Sequence, residues 1–301
     1  MHPPTATDSV MILVAGGTGR LGSAVANQLA GRGLEVKALC RGVASPSGAL
    51  HGSVEVVHGD VRNPTSLRGP FEGVDMVVSA VQGFMGAGGV SPATVDRDGN
   101  GHLIDAAEVS GAHFVLVSVI GAAPDSPMEL LRMKFAAEER LKSSRCRWTI
   151  VRADAFAETW VSLMAESAGS KCRPLVFGRA SNPISFVSVT DVAALVVRAV
   201  VDESLRGRVL EICGPYPVSM TQLAELVMAK RDWIGTPRRV PRPVLQVIAH
   251  TVGPVNPQLA RQARAALAIE NLPTAHDETL RTEFPDLPHT PVSQVIEESS
   301  G

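Results

Sequence analysis

The stretch Ala15–Gly22, AGGTGRLG, directly follows the apolar run Val10–Ala15, VMILVA, and leads into a segment of helical periodicity from about Leu21 to Ala30. A short, continuous apolar run that ends in glycines is typical of a strand buried on both faces of a sheet. The glycines therefore lie in the turn of a predicted strand–turn–helix unit.

The pattern GxxGxxG in this turn has a separate physical reason for each of its glycines. One permits a tight turn, another lets the backbone approach a pyrophosphate, and the third allows close packing of the helix on the strand. The N–H groups at the start of the helix then face the phosphates. We predict a dinucleotide-binding loop formed by Gly16, Thr18, Gly19, Arg20, Leu21 and Gly22.

The end of the second predicted strand, Leu34–Leu39, indicates which dinucleotide is bound. NAD-selective folds usually carry an acidic residue there, which accepts hydrogen bonds from the ribose 2′-hydroxyl. Here the strand is followed by Cys40 and Arg41. Arginine is a permanently charged donor for phosphate, so we expect NADP(H) to be preferred over NAD(H), with Arg20 assisting. The alternative is that Arg41 only solvates a loop.

Strands and helices alternate through the first half of the chain, which implies a parallel sheet covered by helices on both faces. Further strands are predicted at Val54–Val57, Val74–Val81, Phe114–Val119 and Trp148–Arg152, and helices at Leu103–Val109 and Glu129–Leu141. The second half is less regular, with strands at Phe186–Val189 and Val209–Cys213 and helices at Asp191–Val201, Ser219–Arg231, Val244–Val252 and Pro257–Glu270.

The predicted fold class is α/β, a doubly wound parallel sheet of Rossmann type with a smaller, mostly helical carboxy-terminal substrate lobe. Residues 1–152 form the core of the NAD(P)-binding part, which residues 183–213 complete. Residues 153–182 and 214–301 form the substrate-binding lobe.

Composition excludes several classes of protein. The 301 residues are 45% hydrophobic and 4% aromatic with a formal net charge of −2, which argues against disorder and against nucleic-acid binding. Val192–Val201 is too short to span a bilayer, and Met1–Val10 lacks the features of a secretory signal. Four cysteines without a CxxC pair predict reduced thiols. We expect a cytoplasmic protein, monomeric or homodimeric, that acts on a small molecule, without nucleic acid or membrane as a partner.

From about Val10 to Leu226 the chain resembles the atypical short-chain dehydrogenase/reductase superfamily, specifically its NmrA-like branch of NAD(P)-binding proteins. Besides the glycine loop, the resemblance rests on His58–Val61, Val78–Val81, Asp96–Asn100, Val115–Ser118, Trp148–Arg152 and Ser185–Ala193. It implies that Asp60 and Val61 contact the adenine and that Ala80 and Val81 line the cofactor ribose.

The chain departs from this superfamily at one catalytic position. Short-chain dehydrogenases typically use a Ser, a Tyr and a Lys, the last two spaced as YxxxK; the Lys binds the nicotinamide ribose and lowers the Tyr pKa. Ser118 and Lys134 match by resemblance, but Leu130 stands at the Tyr position. Lys134 is alternatively a solvated helix residue, and Ser118 a strand-end hydroxyl that satisfies backbone groups. The single tyrosine, Tyr216, is a candidate substitute from another direction.

The loop 82–91, QGFMGAGGVS, leaves the carboxyl end of a central strand, where ligands bind in open α/β sheets. We predict a mobile flap over the nicotinamide; the alternative is an ordinary surface loop. The predicted substrate contacts are Gln82, Phe84, Met85, Phe156 and Trp160.

Two functions stay open from the sequence. The first is an NADPH-dependent oxidoreductase that transfers hydride to a quinone, a dye or another conjugated small molecule without the usual Tyr. Such acceptors need less help from a proton donor, so positioning of the hydride is the main contribution. The second is a non-catalytic NADP(H)-sensing regulator of NmrA type. The eight histidines show no metal-ligand spacing, so we predict no metal site.

Overall fold

A computed structural model describes residues 10–42, 49–274 and 279–299. Its centre is a sheet of seven parallel strands in the order β3-β2-β1-β4-β5-β6-β7. The strands are β1 Met11–Ala15, β2 Glu35–Cys40, β3 Glu55–His58, β4 Met76–Ser79, β5 His113–Val119, β6 Trp148–Ala153 and β7 Val209–Ile212. The doubly wound parallel sheet predicted from the sequence is confirmed.

Ten α-helices are present in the part of the chain that the structure describes. They are α1 Arg20–Ala30, α2 Asp98–Ser110, α3 Glu129–Lys142, α4 Ala157–Ala168, α5 Val189–Val201, α6 Met220–Lys230, α7 Arg242–Thr251, α8 Pro257–Ile269, α9 Thr279–Glu283 and α10 Val292–Glu298. Across residues 10–42, 49–274 and 279–299, none of the helices is long and apolar enough to cross a membrane.

Two hydrophobic clusters cover the two faces of the sheet. Helices α1 and α5 pack on one face through side chains such as Leu29, Val192 and Val196, and α2 and α3 pack on the other through side chains such as Leu103 and Leu141. Each fully buried aliphatic side chain contributes about 1.5–3 kcal/mol relative to an exposed one. Burial on both faces explains why the strands read as continuous apolar runs.

A third cluster lies beyond the sheet and holds α4, α6 and α10 together, with Phe186 and Leu223 fully buried in it. Two short strand pairs border it. One joins Leu175–Phe177 to Arg238–Val240, and the other joins Pro183–Ile184 to Val218–Ser219. We propose that this cluster is the centre of the substrate-binding lobe, with the boundaries predicted above.

The second half differs locally from the sequence-based expectations. The predicted strand Phe186–Val189 is wrong: Val187 makes one isolated bridge to Phe156, and α5 already begins at Val189 because Ser188 caps it by accepting a hydrogen bond from the Thr190 N–H. All four cysteines are free thiols, and Cys40, Cys146 and Cys213 are buried, as expected for reduced cysteines.

Candidate active site

The glycine loop between β1 and α1 is packed too closely for larger residues. Gly16 has φ +79°, which favours glycine, and a Cβ there would lie 3.0 Å from the Ala80 carbonyl oxygen. A Cβ on Gly22 would lie 2.1 Å from the Gly16 carbonyl oxygen, so only glycine lets the helix approach the turn. Gly17, which the spacing argument did not single out, is equally constrained, because its Cβ would lie 2.7 Å from Cβ of Ala38.

The amino terminus of α1 is open to an anion. Gly19 is its N-cap residue, no side chain accepts the first N–H groups, and the first turn holds no acidic residue. Unpartnered N–H groups and the positive end of the helix dipole form a phosphate site. The loop and the helix terminus together therefore fit the pyrophosphate of a dinucleotide.

A single cavity of about 1090 Å³ joins this loop to the carboxy-terminal helices. It brings together all the site residues predicted from the sequence except Asp60. These are Gly16, Thr18, Gly19, Arg20, Leu21, Gly22, Arg41, Val61, Ala80, Val81, Gln82, Phe84, Met85, Ser118, Lys134, Phe156 and Trp160. The cavity thus runs from the dinucleotide loop to the side chains assigned to substrate.

The far wall of the cavity comes from α7 and α8. Sequence reasoning placed these helices in the substrate lobe but named none of their side chains as contacts. The apolar periodicity of the two helices was the available signal. The wall is mostly aliphatic, with Gln262 as its polar member, and its aliphatic members are Leu245, Ile248, Leu259, Ala263, Ala265, Ala266 and Ile269.

Two basic residues line the cavity, Arg41 at the end of β2 and Arg20 at the start of α1. Arg41 is exposed at this end, and Arg20 donates a hydrogen bond to Ser162 Oγ of α4 at 2.8 Å. Asp60 lies nearby, but its carboxylate is bound by Arg62, whose Nη2 is 2.6 Å from Oδ2. That hydrogen bond lowers the pKa of Asp60. Val61 lines the cavity beside it.

Lys134 is buried on α3, so the alternative of a solvated lysine is wrong. Its ammonium donates hydrogen bonds to the carbonyl oxygens of Val81 and Val117, at 3.0 Å each, and lies 3.1 Å from Oδ1 of Asp96. The other carboxylate oxygen of Asp96 accepts a hydrogen bond from the Gly83 N–H at 2.8 Å. Burial raises the pKa of Asp96, and the charge of Lys134 opposes that rise. All three donors of the ammonium have partners within the protein.

Ser118, at the end of β5, is part of a buried polar network. Its hydroxyl donates to Oε1 of Glu138, a fully buried carboxylate that Arg152 binds through two nitrogens at 3.0 and 2.7 Å. Arg152 also donates to Glu211 at 3.0 Å. These carboxylates raise the pKa of Arg152 and keep it charged. Ser118 lines the cavity, but its hydroxyl proton is directed at Glu138.

No tyrosine lies among the residues that line the described cavity. Leu130 lies in the wall where the superfamily has its Tyr, with 7% of its surface exposed. Tyr216 is 72% exposed and is not among the lining residues, so the structure does not support it as a substitute. A different group must donate the proton if the site reduces an acceptor that needs one.

The loop 82–91 is held by α8. Arg261, with 7% of its surface exposed, donates hydrogen bonds to the carbonyl oxygens of Phe84 and Gly86 at 3.0 and 2.8 Å, and its guanidinium lies 5.9 Å from the centroid of the Phe84 ring. Gln258 donates to the Met85 carbonyl oxygen at 2.8 Å. The tip of the loop is therefore fastened to the carboxy-terminal helices, a contact that the sequence did not indicate.

Comparisons with known proteins agree with this site. The sequence profile of a family described as NAD(P)H-binding matches residues 16–203. The chain is 31% identical over 223 residues to an NAD(P)H azoreductase of Xenophilus azovorans, covering 73% of each chain. It is 26% identical over 216 residues to a photosystem II assembly factor of Synechocystis sp., covering 71% of this chain and 66% of that protein.

A solved structure has the same fold. The crystal structure of an NADPH-dependent quinone oxidoreductase from Escherichia coli, in complex with NADPH, matches with a TM-score of 0.77. The match covers 97% of this chain and 100% of the other at 19% sequence identity. At that identity the likeness shows the fold alone. The profile match and the azoreductase relative confirm the resemblance noted from the sequence at the level of the NAD(P)H-binding family.

Proposed function

Since the chain belongs to the NAD(P)H-binding family, we propose that it is an NADPH-dependent oxidoreductase that transfers hydride to a quinone, a dye or another conjugated small molecule. The observation that carries the proposal is the single cavity, which joins a dinucleotide loop to a mostly aliphatic wall. A planar, largely apolar acceptor fits such a wall. The azoreductase relative supports an enzyme of this class.

The residues present would hold the cofactor in a defined direction. Its pyrophosphate would lie on the glycine loop and the amino terminus of α1, with the adenine beside Val61 and the ribose beside Ala80 and Val81. When bound, the reduced nicotinamide supplies the hydride. The protein binds and orients both molecules and excludes water through its apolar wall.

We propose that Lys134, which is buried, is a positioning residue that holds the backbone around the site in place. Its ammonium holds the ends of β4 and β5 together through the Val81 and Val117 carbonyl oxygens, and it fixes Asp96, which in turn holds Gly83 of the loop. Ser118 joins the same edge of the sheet to α3 through Glu138. In this proposal both residues keep the strand ends in place beside the nicotinamide.

In this proposal the preference for NADP(H) comes from Arg41, and Arg20, which is bound to Ser162 of α4, is the second arginine of the lining. We expect Arg41→Ala to raise the Kd for NADPH by about 10–100-fold, because a hydrogen bond to a charged group contributes about 1.5–3 kcal/mol. The Kd for NADH should change less than twofold. Arg68→Ala, an exposed arginine outside the cavity, is the matched control. Equal losses for the two cofactors would exclude contact of Arg41 with a 2′-phosphate.

One relative favours a second candidate function. The photosystem II assembly factor is a relative named for assembly rather than for catalysis, which keeps open a non-catalytic NADP(H)-sensing regulator. Two measurements separate these functions. The protein is first titrated with NADPH to measure binding, and the decrease in nicotinamide absorbance is then followed after addition of quinones, azo compounds or cationic dyes. Turnover of any of these acceptors supports the oxidoreductase. Tight NADPH binding without turnover across all three classes would favour the regulator.

A further inference from the structure

Asp154 is the only acidic residue among the described residues that line the cavity. It follows β6 directly, at the carboxyl edge of the sheet. Next to it, the end of β5 is joined to β6 by a hydrogen bond of 3.0 Å from the Ile120 N–H to the Ala153 carbonyl oxygen. In an open α/β sheet, this edge is where the reacting ends of ligands lie.

The carboxyl group of Asp154 is bound by backbone rather than by a cation. One oxygen accepts a hydrogen bond from the Ala155 N–H at 2.7 Å, and the Ser185 backbone provides another. Burial, opposed by these two hydrogen bonds, raises the pKa of Asp154 to about 6. A carboxyl group in this state exchanges protons near neutral pH, which an ion-paired carboxylate does not do.

The ionisable groups on the elements packed around Asp154 are engaged with other partners. On α3, Lys134 is held by Asp96, and Arg152 of β6 itself is bound by Glu138 of α3 and Glu211 of β7. On α4, Glu158 accepts hydrogen bonds from the Ser188 hydroxyl and the Val189 N–H, and beyond β7, Arg281 lies 3.6 Å from Asp191. The remaining charged residues of the lining are Arg20 and Arg41, which flank the glycine loop and the end of β2.

We propose that Asp154 is the proton donor of this site, taking the part of the tyrosine that Leu130 replaces. The assignment rests on the proposed oxidoreductase function. In the step, the hydride brings two electrons to the acceptor and the cofactor is oxidised to NADP⁺. The carboxyl O–H bond breaks, and its proton forms a new O–H or N–H bond on the reduced acceptor. Water then returns a proton to the carboxylate.

Asp154→Asn tests the assignment, because the Asn side-chain oxygen can still accept the Ala155 N–H hydrogen bond while the proton is lost. Glu166→Gln, an exposed residue on α4, removes the same charge and is the matched control. We expect kcat/KM for a neutral quinone at pH 5.5 to fall about 10²-fold in Asp154→Asn, at the low end for general-acid catalysis because water competes as a donor. The kcat/KM of the control Glu166→Gln should stay within twofold of the wild-type value.

Three further readouts separate proton donation from a structural role. In the wild type, kcat/KM should fall as pH rises through about 6, because the donor acts only when protonated, and this break should vanish in Asp154→Asn. The Kd of Asp154→Asn for NADPH, measured by fluorescence without an acceptor, should stay within twofold of the wild-type Kd. The carboxyl resonance that titrates near pH 6 in ¹³C NMR spectra should be missing from the variant.

Each alternative has its own outcome. If the wild type reduces an acceptor and Asp154→Asn keeps the same kcat/KM and the same pH dependence, the assignment is overturned. The proposed function would then still stand. A loss confined to KM for cationic dyes would also overturn it and make Asp154 a charge selector. A wild type that binds NADPH but reduces no acceptor would refute the proposed function itself, and the assignment with it.

Discussion

Lys134→Met should destabilise the protein far more than loss of an ordinary lysine. The ammonium is buried with three partners, and its removal leaves the Asp96 carboxylate fully buried with only the Gly83 N–H in contact. Removal of one partner of a buried ion pair typically costs about 3–5 kcal/mol of unfolding free energy. We expect a loss in that range at pH 7, measured by urea unfolding followed by tryptophan fluorescence.

Lys142→Met provides the matched control on the same helix. Its partly exposed ammonium pairs with the exposed Glu139 at 2.9 Å and lies 3.8 Å from Oε2 of Glu138, which Arg152 still binds at 2.7 Å in the variant. The loss should therefore stay near the roughly 0–1 kcal/mol typical of surface pairs. Adding Asp96→Asn to Lys134→Met removes the unpaired charge and keeps an oxygen for the Gly83 N–H, so at least about 2 kcal/mol should return. Equal losses in the two methionine variants, or no recovery in the double variant, would refute the buried-pair argument.

The remaining predictions concern the loop and a buried histidine. Arg261→Leu should speed hydrogen exchange or proteolysis of the loop 82–91 about 10-fold or more, because the loop loses two charge-assisted hydrogen bonds. The control is Arg264→Leu, which removes a hydrogen bond to α7 and should leave both rates unchanged. His113 has its pKa lowered to about 4 by burial. The unfolded state therefore binds more protons, and between pH 7 and pH 4 the wild type should lose about 3 kcal/mol of stability relative to His113→Phe. Parallel stability curves for the two proteins would contradict this.

The predicted site residues that the structure brings into one cavity are placed there by local chain geometry. The glycine spacing is dictated by contacts within one turn, as for Gly16 and Gly22, and the parallel strands must place their carboxyl ends at one edge. Arg41, Val81 and Ser118 therefore meet in one cavity although they are distant in sequence. The boundaries of the seven strands of the central sheet were predicted to within two residues because buried apolar runs mark them.

The parts that could not be predicted depend on contacts between distant segments. The carboxylate that holds Lys134 lies on the π-helical turn Pro92–Arg97, ahead of α2, and the pattern of that segment indicates only a helix. The raised pKa of Asp154 follows from burial among segments that meet only in the folded chain. Single-sequence patterns report periodicity and turns, whereas these contacts depend on how the lobes pack.

The contact between Arg261 and the loop 82–91 joins two parts of the cavity wall, the loop after β4 and helix α8. A buried guanidinium is costly unless its donors are used, and here the Phe84 and Gly86 carbonyl oxygens use them. Helix α8 also supplies Leu259 and Ala263 to the cavity wall. Any shift of the loop 82–91 relative to the rest of the cavity must therefore move α8 or break these hydrogen bonds. Under the proposed function, the space left for the acceptor and the position of the loop would therefore change together, because α8 contributes to both.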